Sequence, residues 1–234
     1  KVITSKKTLE ELHGVLSKDE YPLGMLGVKH KDLYLAKKVN NDVIEEVHTG
    51  AIKLIQETSP WMYELFCSAI KAFIPIESPY PNRKAGFSSD YAKGFTFYAY
   101  PDESSEKNII ETAVDYIHES SHQLTFLINE VDFLIEGDRE QAVFSAIKNE
   151  ERPAILALHG AIALAHMSLF RSFLKESLKD GNDYSNEQLV HEAEMLDATI
   201  NALNEKCSFT PIGESIMKEL EYINDLTKRG KNEK

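Results

Sequence analysis

The sequence predicts a mainly α-helical fold with a small β-strand element. Apolar residues recur at helical spacing over several long segments, and proline or a capping side chain stands where many of these segments begin. Only one segment alternates apolar and polar residues in the manner of a strand. The chain has 234 residues, 42 % of them hydrophobic, so it is long and apolar enough to bury a substantial core.

The expected helices begin at residues that cap or open a helix. Asn41 is expected to cap the first long helix, and Ser59 with Pro60 opens the second. Ser185 and Gln188 have the spacing of a capping box. The expected helices cover residues 41–56, 60–72, 106–131, 139–148, 152–178, 185–205 and 210–226, with a short helical pattern at Thr8–Leu16.

The strand is expected at Gly94–Tyr100, where Phe95, Phe97 and Ala99 alternate with more polar residues. Residues 74–93 are rich in Pro, Ser, Asn and Gly and are expected to form a loop. We divide the chain into an N-terminal helical region, residues 1–90, and a metal-binding helical region, residues 91–234. The two are expected to pack as one compact unit.

Composition excludes several classes of function. The formal net charge of −12 argues against a general nucleic-acid binder and against docking on anionic membranes. No apolar run approaches the roughly 20 residues of a membrane span, and no apolar stretch follows Lys1–Lys7, so neither a span nor a signal peptide is expected. Cys67 and Cys207 are expected to be reduced thiols of a cytoplasmic protein.

The residues that carry chemistry lie in the run His118-Glu119-Ser120-Ser121-His122. Residues four apart lie on one face of a helix, so both imidazoles point to the same region, as two corners of a transition-metal site require. The flanking turns are apolar, which predicts well-buried histidines and favours metal binding over a chance surface pattern. Glu119 is expected beside the site, as a base or as a residue that supports a ligand.

A third ligand has to come from elsewhere in the chain. His159 and His166 lie in the apolar segment Ala154–Phe170, seven residues apart, so both are not expected to bind one ion. We favour His159, because Gly160 beside it would let another helix approach closely. The predicted metal site then lies between two core helices. A carboxylate is the alternative ligand, from Glu130, Asp132 or Glu136.

Arg152 precedes His159 by seven residues. An arginine one or two turns before a metal ligand on the same helix could bind a carboxylate in a bidentate manner. Arg152 could equally pair with Glu150 or Glu151 at the start of that helix.

Three segments carry a resemblance to a known family, in the order GFTFYAYP, VDYIHESSHQ and ERPAILALHGAIALAHM. This order resembles the His-Glu-x-x-His peptide β-hydroxylases, which modify ribosomally synthesised peptides, and it covers about residues 94–172. The resemblance implies an oxygenase that uses Fe(II), 2-oxoglutarate as co-substrate and dioxygen to hydroxylate the β-carbon of a peptide residue. The implied partner is a precursor peptide, and residues 1–90 have room to recognise it.

Residue roles follow from the matched segments. The resemblance implies that His118, His122 and His159 bind the iron and that Arg152 holds a carboxylate of 2-oxoglutarate. Glu119 would then support a ligand or the peptide and not act as a base. Many family members carry Trp-Arg just before the Arg-Pro pair, whereas this chain has Ile147-Lys148.

The chemistry of such a site is coherent. Three side chains on one face of the iron leave open positions for a bidentate keto acid and for dioxygen. The strand Gly94–Tyr100, if it lies at a sheet edge, could pair with an extended peptide. Around this strand and the loop before it lie four tyrosines that could line a peptide groove: Tyr80, Tyr91, Tyr98 and Tyr100.

Two other functions stay open. In a zinc metallopeptidase, Glu119 would be the general base that activates a zinc-bound water. Against it, Ile128 stands where the extended motif has a third histidine, and a glutamate ligand could come only from residues such as Glu140. The other alternative is a non-catalytic helical interaction module with a structural metal or none. The oligomeric state is not predicted.

Overall fold

The structure, a computed structural model, describes residues 40–77, 86–177 and 186–229, with short pieces before residue 40 (1–3, 5, 7, 8, 10, 11, 34 and 35). Helix accounts for 68 % of the described residues and strand for 15 %, which confirms the mainly α fold. The predicted helix at Thr8–Leu16 lies mostly outside the described residues. The chain divides into two compact units, Lys1–Gln123 and Leu124–Lys234, and the division of roles between residues 1–90 and 91–234 stays a prediction.

The first unit contains a four-stranded sheet in the order β1-β2-β4-β3. It also contains the helix that carries the histidine motif, up to Gln123. Strands β2 and β4 run parallel, whereas β1 and β3 pair antiparallel with their neighbours. The elements are β1 (Tyr34–Leu35), α1 (Asn41–Thr58), α2 (Pro60–Ala69), β2 (Ala72–Glu77), β3 (Gly86–Ser88), β4 (Phe95–Tyr98) and α3 (Glu106–Val131).

The sheet corrects two predictions. Residues 74–93 were expected to be a loop, yet they contain most of β2 and all of β3. Strand β2 buries five consecutive residues, so it lacks the alternation that marks a half-exposed strand. Strand β4 confirms the predicted strand, but it lies between β2 and β3, so its edge is not available to a peptide. The rings of Phe87 and Phe97 stack at 4.6 Å in the core of this sheet.

Helix α3 has the predicted bounds, Glu106–Val131. The hydroxyl of Ser105 accepts a hydrogen bond from the Asn108 backbone N–H and caps its first turn. Ala113, Val114 and Ile117 are buried. The division between the two units falls inside this helix. Helix α1 is capped by Asn40, one residue before the expected Asn41.

The second unit contains two short antiparallel strand pairs and three helices that pack on one another. Strand β5 pairs with β8, and β6 pairs with β7. The elements are β5 (Ile135–Glu136), β6 (Ala142–Ser145), β7 (Glu150–Pro153), α4 (Ala154–Ser177), α5 (Asn186–Lys206), β8 (Ser208–Phe209) and α6 (Pro211–Arg229).

The predicted helix at Arg139–Lys148 is wrong. The segment forms β6 and the turn into β7, where Asn149 takes a positive φ of 54°. Val143 and Ser145 are buried while Ala142 and Phe144 are exposed, so the period of burial is two, as in a strand. Six residues of this segment are strong helix formers, which explains why the sequence predicted a helix: Arg139, Glu140, Gln141, Ala142, Ala146 and Lys148.

Helix α4 is both long and strongly apolar. Residues Ala154–Glu176 are long and apolar enough to cross a membrane by length and composition alone, contrary to expectation. Of its most apolar window, 72 % is buried inside the protein, and the core helix of a soluble protein passes the same test. This helix therefore carries little evidence for a membrane span.

Substitution by alanine at two glycines of the second unit should change the stability in opposite directions. A Cβ on Gly213 would lie 2.0 Å from the carbonyl oxygen of Leu134, whereas a Cβ on Gly160 would meet only Ile147 Cδ1 at 3.5 Å. Gly213→Ala should therefore lower the free energy of unfolding by about 2 kcal/mol or more. Gly160→Ala should raise it by up to about 1 kcal/mol, since alanine favours a helix interior.

Thermal and urea unfolding, followed by circular dichroism, measures both variants against the wild type. A Gly213→Ala protein as stable as the wild type would contradict the close approach of this helix start to Leu134. The same geometry corrects the expectation for Gly160, since its nearest neighbour is a side chain in the turn after β6 and not a helix.

Candidate metal centre

His118 and His122 bring their Nε2 atoms to 3.1 Å from each other on α3. The two rings are nearly perpendicular, with centroids 4.6 Å apart. Metal–imidazole bonds of about 2.0–2.1 Å at tetrahedral or octahedral angles put two ligand nitrogens about 2.9–3.4 Å apart. The observed separation therefore fits two corners of one metal site. As neutral imidazoles the rings can also share one hydrogen bond at this distance.

The two histidines are less buried than the sequence predicted. The side chain of His118 is 37 % exposed, and His122 is half-buried. The apolar residues that led to the prediction lie on other faces of the helix, where Val114 and Ile117 are buried. An exposed side is compatible with a reactive metal, because a co-substrate has to reach the open coordination positions.

The third ligand stays a prediction. Among the residues that the structure describes, no group of three or more His, Cys, Asp or Glu side chains is arranged to hold a metal. His159 belongs to the second unit, is 2 % exposed, and packs against Phe126 with ring centroids 5.0 Å apart. Burial lowers the pKa of His166 to about 4. Of the alternative carboxylates, Glu130 and Glu136 are exposed.

Glu119 lies between the histidine pair and the sheet. Its Oε1 is 4.0 Å from Nε2 of His118, and its Oε2 accepts a hydrogen bond of 2.7 Å from the Ser88 hydroxyl on β3. Burial raises the pKa of Glu119 to about 8. The hydrogen bond from Ser88 lowers this pKa, but by less than burial raises it. A cation at the histidine pair would also lower this pKa.

Ser88 and Gln123 were missed in the sequence. Gln123 is fully buried; its Oε1 accepts a hydrogen bond from Gly94 N at 2.7 Å and its Nε2 donates one to Phe95 O at 2.9 Å. The sequence did offer one sign of Gln123: an amide side chain directly before the mainly apolar turn of residues 124–128.

A cluster of buried phenols lies against α3 within the first unit, just before the histidine motif. The Tyr116 hydroxyl is 2.7 Å from His48 Nδ1 and 2.8 Å from the Tyr100 hydroxyl, and Tyr98 donates to Asp115 at 2.8 Å. Burial raises the pKa of all three tyrosines. Tyr98 is fully buried, so it does not line a peptide groove as predicted.

Arg152 lies on β7, opposite Val143, and not on the helix that carries His159. The expectation of a shared helix is wrong, because α4 begins after Pro153, at Ala154. The Arg152 Nε is 3.7 Å from Oε1 of Glu150, which is the alternative pairing that the sequence left open. The role of Arg152 toward 2-oxoglutarate stays a prediction.

Comparison with known proteins adds no family. No family model matches the chain, and no curated protein matches it. The functional interpretation therefore depends on the geometry above and on the resemblance of the three segments.

His48, the histidine beside the phenol cluster, should make the protein less stable in acid. Burial lowers the pKa of His48 from 6.5 to about 4, so the unfolded chain binds the proton first. The stability that this group provides is present above pH 6.5 and is lost as the pH falls from 6.5 towards 4. The loss is on the order of 3 kcal/mol.

Urea unfolding between pH 4 and pH 7 measures this dependence. In His48→Gln the slope of the free energy of unfolding against pH should be shallower over this range. His191→Gln is the control, since His191 is exposed on α5. Equal slopes for wild type and His48→Gln would contradict the burial of a neutral imidazole at this position.

Proposed function

We propose that the chain is an iron(II)- and 2-oxoglutarate-dependent oxygenase that hydroxylates the β-carbon of a residue in a ribosomally made precursor peptide. The observation that carries this proposal is the 3.1 Å separation of the His118 and His122 Nε2 atoms. The resemblance of residues 94–172 to peptide β-hydroxylases supports the reaction class and the peptide substrate.

The proposed iron ligands are His118, His122 and His159. Imidazole nitrogens suit iron(II), and three protein ligands leave positions for a bidentate keto acid and for dioxygen. Bound iron would supply the activation of dioxygen. His159 enters the ligand set on the resemblance alone, whereas the pair on α3 is supported by its geometry.

The chain's own residues would orient and shield the reactants. Glu119 is held by Ser88, and its Oε1 lies 4.0 Å from the Nε2 of His118, so it would stand beside the bound metal and its co-substrate. Arg152 is the proposed partner of a co-substrate carboxylate. Its present partner Glu150 is 63 % exposed, so their ion pair is weak and a bidentate carboxylate could displace it.

A zinc metallopeptidase is the second candidate. The observation that favours it is the 4.0 Å distance from Glu119 Oε1 to His118 Nε2, since a general base must lie close to the metal. Ile128 counts against it, because it stands where the extended motif of such peptidases has a third histidine.

Iron and co-substrate binding tests the oxygenase directly. Purified protein, freed of metal and reconstituted with Fe(II) under anaerobic conditions, should develop a weak visible charge-transfer band when 2-oxoglutarate is added. His118→Ala, His122→Ala and His159→Ala should each abolish the band, since each removes a proposed ligand. Arg152→Ala should weaken 2-oxoglutarate binding at least about tenfold, because it removes the proposed bidentate ion pair with a carboxylate.

His191→Ala is the matched control and should keep the band, because it removes an exposed histidine of α5. A band that survives His159→Ala would remove this residue from the ligand set but leave the oxygenase standing. No band in the wild type, with tightly held zinc and cleavage of test peptides, would refute the oxygenase in favour of the peptidase.

Glu119→Gln separates the two candidate reactions. Glutamine keeps an oxygen that can accept the Ser88 hydrogen bond but cannot act as a base. In an oxygenase the variant should keep the charge-transfer band and turn 2-oxoglutarate into succinate within about tenfold of the wild-type rate. In a peptidase, loss of the general base should cost about 10²–10⁴-fold in the cleavage of a peptide library.

A further inference from the structure

Helix α3 carries a second row of functional side chains directly beside the histidines. Glu119 follows His118 and Gln123 follows His122, so each side chain of the second row is rotated by about 100° from the histidine before it. Asp115, one turn before Glu119, belongs to the same row. We call Asp115, Glu119 and Gln123 the polar seam.

Each member of the polar seam is hydrogen-bonded to the sheet of the first unit. Asp115 accepts from the Tyr98 hydroxyl at 2.8 Å, and Glu119 accepts from the Ser88 hydroxyl at 2.7 Å. The Gln123 amide bonds the backbone of both Gly94 and Phe95 at the start of β4. The helix is thus tied to β3 and β4 at three successive turns.

These ties restrict rotation of the helix more than apolar packing would. Hydrogen bonds are directional, and buried ones are costly to break, so a fully bonded polar network favours one arrangement. A Cβ on Gly86 would lie 3.0 Å from Glu119 Oε1, so β3 approaches the carboxyl closely as well. The ring nitrogen of a helical histidine lies about 6–7 Å from the helix axis, so a rotation of about 10° moves it about 1 Å.

We propose that Ser88 and Gln123 are positioning residues for the metal centre: by bonding the polar seam to the sheet they fix the direction in which His118 and His122 present their Nε2 atoms. The proposal rests on the metal centre of the proposed function but on neither of its candidate reactions. The two residues touch neither metal nor substrate. They act through α3, which carries both the polar seam and the histidine pair.

Cobalt(II) binding to matched variants tests the proposal. Ser88→Ala and Ser168→Ala form the matched pair, because each serine is buried and donates a 2.7 Å hydrogen bond to Oε2 of a buried glutamate, Glu119 or Glu192. Gln123→Met removes the amide at similar volume. Ser88→Ala and Gln123→Met should weaken Co(II) binding by up to about 10–100-fold, the range seen when residues that orient metal ligands are changed.

Ser168→Ala should lose comparable thermal stability yet bind Co(II) within about threefold of the wild type, since its hydrogen bond lies between α4 and α5. Titrations are run at a temperature at which circular dichroism shows every variant folded. The visible spectrum of bound Co(II) should also change in the Ser88 and Gln123 variants, because it reports the ligand geometry.

A second measurement uses the metal-free protein. Nitrogen-15 NMR of the imidazoles should show the coupled Nε2 signals of His118 and His122 in the wild type and in Ser168→Ala. The signals should shift or be lost in Ser88→Ala and Gln123→Met. Wild-type Co(II) affinity and unchanged imidazole signals in these two variants, with only a loss of stability, would overturn the proposal. A wild type that binds no Co(II) would refute the metal centre and with it the positioning role, whereas a wild type that binds Co(II) no better than the two variants would refute the positioning role alone.

Discussion

The docking of α3 on the sheet through buried hydrogen bonds is the constraint on which the rest of the first unit depends. A helix that packs through apolar side chains alone can rotate or slide by small amounts at little cost, because van der Waals contacts have no preferred direction. Glu119 and Gln123 remove that freedom. If the helix rotated, their hydrogen bonds with Ser88 and Gly94 would break, and buried polar groups would lose their partners. The spacing of four residues brings the two imidazole nitrogens to 3.1 Å, and the docking of the helix fixes the direction in which the pair points.

The same docking gives Glu119 its chemical character. Its carboxyl is enclosed by β3 and by the body of α3, and burial rather than a neighbouring charge is the main cause of its raised pKa. The Ser88 hydrogen bond holds this carboxyl 4.0 Å from the Nε2 of His118, and a cation bound there would lower its pKa again. The two candidate reactions therefore differ over the role of this one side chain, while they agree on the use of His118 and His122.

The long periodic helices and the alternating strand β4 could be predicted from the sequence, whereas the other strands could not. Helix α3 has the bounds that its apolar spacing predicted, because a stripe at helical period over seven turns has few alternative interpretations. The strands β2 and β6 were missed for opposite reasons. All but the last residue of β2 is buried, so it shows no alternation, and β6 is so short that its composition suited a helix equally well. In both cases the segment becomes a strand because it pairs with another one, β4 for β2 and β7 for β6, and its own sequence does not show that pairing.

The sequence by itself determined the helical class, the long helix, and the placement of His118 and His122 on one face of it, since all three follow from spacing along a single segment. Only the tertiary structure decided that the histidines are partly exposed, that Glu119 is buried under Ser88, and that Arg152 lies on a strand paired with Val143. It also revealed that Gln123 bonds the backbone at the start of β4. Burial and hydrogen bonding join residues that are far apart in the chain, and a pattern within one segment carries no information about which segments will meet.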